Sequence, residues 1–145
     1  MLNGAEIRSI TFSSGDAGTV MVHAGAARLD RAGSKWNTGI ASSAEDSTGQ
    51  AGTVTLDIDG LLEVLNGATI RSITFSSGDA GTVTVHAGAA RLDGAGSERV
   101  TGILSEAAST STGQAGTVTL DIGGLLEVLN GATIRSITFS SGDAG

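Results

Sequence analysis

The sequence predicts an all-β chain folded as a parallel β-helix, a β-solenoid of about four to five coils of about thirty residues with three short strands each. Three observations predict it. One passage recurs almost letter for letter along the chain. Short alternating runs rich in β-branched residues are separated by Gly/Asp/Asn/Ser turns. Charged residues at equivalent places change sign from one half-repeat to the next.

The passage "LNGATIRSITFSSGDAG" occupies Leu65–Gly81 and returns unchanged at Leu129–Gly145. Its copy at Leu2–Gly18 differs only in Glu6, where the others carry Thr69 and Thr133. The units therefore run 2–64 and 65–128, with a partial unit 129–145. A weaker repeat lies inside them: "AGTV" ends at Val20, Val54, Val83 and Val118, at steps of 34, 29 and 35 residues. Long and short modules thus alternate, dividing a single domain 1–145 into coils 18–51, 52–80, 81–115 and 116–144.

Within each module the first strand is "TVTVH" or "TVTLD", whose alternation marks a half-buried strand. The second is "LLEVLN" or "AARLD", and the third "TIRSITF" or "TGILSEA". "NGA", "DGAGS", "SSGDAG" and "STGQAG" between them are turn chemistry. Three such strands cannot bury an apolar face alone, so modules must stack. Parallel strands need about a dozen connecting residues or more, which one full coil supplies.

Stacking sorts the residues. Val20, Val54, Val83 and Val118, with Val22, Leu56, Val85 and Leu120, form an inward column. Ile40, Ile70, Ile103 and Ile134 make a second wall, and Phe12, Phe75 and Phe139 are expected to fill a corner. Outward, one column reads His23, Asp57, His86, Asp121 and another Arg28, Glu63, Arg91, Glu127. Both alternate as facing ion pairs on adjacent strands would.

Composition narrows the function. The net charge of −7 opposes phosphate backbones and anionic lipid, and three Phe with one Trp offer little surface for stacking bases. Nucleic acid is therefore not an expected partner. Without cysteine there is no disulfide or thiolate site. No apolar run approaches the roughly 18 residues of a membrane span. "MLNGAEIRSI" lacks the regions of a signal peptide, and a repeat boundary at Met1 fits a segment cut from a longer array.

Several positions are candidates for chemistry. The His23–Asp57–His86–Asp121 column invites a metal or a pH switch, but a straight line of ligands does not converge on one ion, and a surface ladder is the simpler reading. Asp16, Asp79 and Asp143 resemble calcium-binding Gly/Asp repeats, yet their spacing is far from nine residues, and capping of their own turns explains them. Thr53, Thr55, Thr82, Thr84, Thr117 and Thr119 continue a Thr-x-Thr column begun by Thr19 and broken by Met21. Such a face resembles ice-binding solenoids, although threonine is also a good strand residue. The loop "DRAGSKWNTG" (30–39) aligns with "DGAGSERVTG" (93–102), exchanging Lys35 for Glu98 and Trp36 for Arg99. Loops carry recognition, so Trp36 and Arg99 join the candidate surface. A unique acid–base cluster is lacking, and no enzyme or cofactor is expected.

The cadence "GTVTV…L.L.NGA.I.S.TF.SGDAG" resembles the repeat region of filamentous-haemagglutinin-type exoproteins, the large adhesins of bacterial two-partner secretion. The resemblance spans essentially the whole chain. It implies a right-handed helix, a secreted or cell-surface location, a stalk or adhesive role, and a host or neighbouring-cell surface as partner. With neither end visibly capped, the chain is also expected to associate with itself end to end.

Overall fold

A computed structural model describes residues 1–46 and 48–139. It is all-β: β1 (Glu6–Thr11), β2 (Val20–Ala24), β3 (Ala27–Asp30), β4 (Gly39–Ala44), β5 (Val54–Leu65), β6 (Thr69–Thr74), β7 (Val83–Asp93), β8 (Gly102–Ala107), β9 (Val118–Ile122), β10 (Leu126–Leu129) and β11 (Thr133–Thr138). Every pairing between them is parallel. One sheet runs β1-β4-β6-β8-β11. In the other, β5 and β7 lie side by side, flanked by β2 and β3 on one edge and β9 and β10 on the other. The chain is a β-solenoid of about four turns.

The three expected strand pieces are present, but in the two inner coils the first two fuse into the single bent strands β5 and β7. At the bend the register slips: Ile58 faces Ala87 and Leu61 faces Ala89, so Asp59 and Gly60 oppose Gly88 alone. An extra residue of this kind is a β-bulge, which kinks a strand without ending it. Each short module has one residue more here than its long neighbour, and Leu61 and Leu125 are left exposed at the bend.

The core matches the predicted columns in the inner coils. Val54, Leu56, Val83, Val85, Ile70 and Ile103 are fully buried, while Val22, Val118, Leu120 and Ile134 in the outer coils are only partly covered. The difference follows from stacking, since a coil buries its flat faces only against another coil. The phenylalanines correct the reading above. Phe12 (63% exposed), Phe75 (39%) and Phe139 (51%) are not corner fillers. Each follows the last residue of β1, β6 or β11, and strand alternation turns it to the outer side with Arg8, Arg71 or Arg135.

The corner is filled instead by buried serine. Ser42, Ser72 and Ser105 stack in register on the inner side of their sheet. Ser72 Oγ donates to Gly52 O of its own coil (3.0 Å) and accepts from Gly81 N of the next coil (2.8 Å). Ser42 does the same with Gly18 and Gly52, and Ser105 with Gly81 and Gly116. Side chains are excluded from the glycine column: a Cβ on Gly81 would lie 2.4 Å from Gly52 O.

Candidate functional site

Both charge ladders form in the predicted register. His23 faces Asp57, Asp57 faces His86, and His86 faces Asp121. His23 Nδ1 lies 3.2 Å from Asp57 Oδ2, and His86 Nδ1 lies 3.5 Å from Asp121 Oδ2. Arg28 faces Glu63, Glu63 faces Arg91, and Arg91 faces Glu127. Arg28 Nη1 reaches Glu63 Oε2 at 3.1 Å. Arg91 instead turns along its own strand to Asp93 Oδ2 at 2.8 Å. Among the described residues, no group of three or more His, Asp or Glu is placed to hold a metal ion.

A second carboxylate position, unread in the sequence, anchors these arginines. Asp30 accepts from Arg28 Nη2 (2.8 Å), Ala32 N (2.9 Å) and Asn66 Nδ2 of the next coil (2.9 Å). Asp93 repeats the set with Arg91, Ala95 N and Asn130 Nδ2. Burial pushes the Asp30 carboxyl up, but donation from Asn66, Arg28 and the Ala32 N–H outweighs it and leaves the group below its ordinary range. Asp93 is held down at about 2 by the Asn130 amide, the Arg91 guanidinium and the Ala95 N–H. The DxxG and NG turns are therefore cross-linked from coil to coil.

The aspartates of "SSGDAG" also act between coils. Asp16 Oδ1 accepts from Gln50 N (2.9 Å) and Asp79 Oδ1 from Gln114 N (2.8 Å), each in the following coil. Their expected role as caps of their own turns is corrected: the threonine does that, Thr74 Oγ1 donating to Gly78 O at 2.8 Å. Asp143 lies outside the described residues.

The threonine face is continuous. Thr55, Thr84 and Thr119 are aligned, with exposed Met21 at the edge. Thr53, Thr82 and Thr117 are joined in the same stack, their carbonyls accepting from Val20, Val54 and Val83 N.

The long loops have the most individual geometry. Loop 31–38 follows β3 and loop 94–101 follows β7, and between them lies the three-residue turn Asn66–Ala68. Asn66 and Gly67 take φ of 54° and 88°, the left-handed pair that Asn-Gly supplies in a tight turn. Thr101 Oγ1 accepts from Gly67 N at 2.6 Å, folding the second loop back over this turn. A Cβ on Gly67 would meet Ser97 Oγ at 2.6 Å, Arg31 Cδ at 3.2 Å and Arg99 Cβ at 3.4 Å. The loops thus wall a groove of about 670 Å³ above Asn66, lined by Arg31, Lys35, Ser97, Glu98 and Arg99.

Trp36 and Arg99 lie over different turns. They hold equivalent places one repeat apart, Trp36 lying over Gly4 as Arg99 lies over Gly67. Trp36 is 76% exposed, and its carbonyl accepts from Arg31 Nε at 3.2 Å. Arg99 reaches back to the first loop, its Nη1 donating to Asn37 Oδ1 at 3.3 Å. In comparisons with known proteins, no family model, no curated protein and no solved structure matches this chain.

Proposed function

We propose that this chain is a non-enzymatic structural segment, a rigid stalk of a secreted or cell-surface β-solenoid of the adhesin type. Its coils supply length and a repetitive surface, and its own ends are its first partner. What supports the reading most is the pairing of long coil with short coil in both charge ladders. An edge carrying His23 and Arg28 offers the charges that an edge carrying Asp121 and Glu127 would pair with. Edge strands with unpaired backbone groups are templates for such growth. Light scattering against concentration, with electron micrographs of the same samples, tests it: rods a few nanometres wide, lengthening with concentration, are expected, and a monomer at every concentration counts against self-association.

A second reading is a binding module acting through the threonine face or the Trp36 loop on ice, a glycan or a cell-surface receptor. The alignment of Thr55, Thr84 and Thr119 and the exposure of Trp36 favour it. Thr84→Lys and Trp36→Ala separate the two faces. Each should abolish binding at its own face and leave the circular dichroism spectrum unchanged.

A further inference from the structure

The groove over Gly67 is a consequence of alternating loop length. Two eight-residue loops flank a three-residue turn, so their walls stand two coil spacings apart, about 9.6 Å between backbones. Its lining runs against the charge of the whole chain. A protein of net charge −7 places here its one lysine, Lys35, with Arg31 and Arg99, against the single carboxylate of Glu98. Among the described residues none of these three cations has an ion-pair partner within 4 Å. Arg31 and Arg99 are steadied by neutral acceptors, the Trp36 carbonyl and the Asn37 side chain. Those bonds orient the guanidinium groups without neutralising them. The depression on the outer side of β1, β4 and β6 is different, because Glu6, Glu45 and Asp46 accompany Arg8 and Arg71 there.

We infer that the groove between the two long loops binds a small dianionic phosphate group, clamped between Arg31 and Lys35 on one wall and Arg99 on the other. The surplus of two positive charges matches a phosphate dianion, and a guanidinium fork suits its tetrahedral oxygens. Ser97 Oγ, close over Gly67, adds a neutral hydroxyl to the wall. Water has free access, so the affinity is of roughly millimolar order. The same groove would recur at each short coil of a longer array, with a lining that the loop sequences reset.

The test is a titration of the full 145-residue chain with inorganic phosphate, at constant ionic strength and pH 7.5, followed by amide resonance shifts. Shifts confined to 31–35, 66–67 and 94–99 are expected. Arg31→Ala and Arg99→Ala should each weaken binding by about tenfold. Glu98→Gln, at an exposed site with little bearing on folding, should strengthen it about two- to fivefold. Binding of a phosphate ester should also fade below about pH 6, where a phosphate monoester loses its second charge. Glycerol phosphate in a parallel titration tells an esterified phosphate from the free ion, and binding of either in the groove supports the inference. Shifts spread over Arg8, Arg71 and other surface cations, or unmoved by Arg31→Ala, Arg99→Ala and Glu98→Gln alike, overturn it. Either result is independent of whether the chain grows end to end.

Discussion

Ser72 holds neighbouring coils together at the level of a single hydroxyl, donating to one glycine carbonyl and accepting from the next glycine amide. Ser72→Ala strands both backbone groups in a buried corner and should cost about 1–3 kcal/mol. Chemical denaturation measures it, and a loss under about 0.5 kcal/mol, typical of surface substitutions, would remove the serine column from the account. Asp93 gives a pH signature. In the unfolded chain it titrates near about 3.9, whereas the folded chain holds it at about 2. The folded form therefore binds fewer protons between those values. Its contribution to stability is complete above about pH 4 and is lost as the pH falls toward about 2. Asp30, also lowered, adds to the same acid-side loss. Melting temperature measured from pH 5 to pH 2 should fall less steeply in Asp93→Asn than in the parent chain.

At the scale of the strand, burial depends on position in the stack more than on residue type. Leu56 in β5 is fully buried, and Leu56→Ala should cost about 2–5 kcal/mol through lost transfer energy and the cavity left behind. The equivalent Leu120 in β9 is only partly covered, so Leu120→Ala should cost clearly less. Equal losses at the two sites would mean that the outermost coil is covered in solution. Gly81→Ala is expected to be severe. Its new methyl meets the Gly52 carbonyl of the adjoining coil, and the atoms it meets are backbone, which leaves little room to yield. Soluble yield and the dichroism spectrum report on it.

For the whole molecule, the two sheets are out of step. The sheet containing β1 has five rungs, and the other has four. If β2 and β3 of one copy continue the stack on β9 and β10 of another, β1 and β11 compete for one rung. They are copies of the same strand, differing only at Glu6 and Thr133. One of them must leave its sheet before the ladders can join. A chain lacking residues 1–18 should therefore assemble faster than the full chain at equal concentration, with light scattering as the readout. Slower growth would place the contact elsewhere on the surface.

By itself the sequence determined the coil, its register and its ladders. A repeat copied along the chain forces equivalent residues to neighbour one another, so His23 beside Asp57 and Arg28 beside Glu63 could be read without coordinates. The tertiary structure alone decided how the corners close. Ser72 and Asp30 look like surface polar residues until the adjoining coil supplies Gly81 N and Asn66 Nδ2 as partners. Phe75 looks like core until strand alternation carries it outside. The groove over Gly67 was equally hidden. Its walls come from residues more than sixty apart, and only stacking brings Arg31 and Arg99 to the two sides of one short turn.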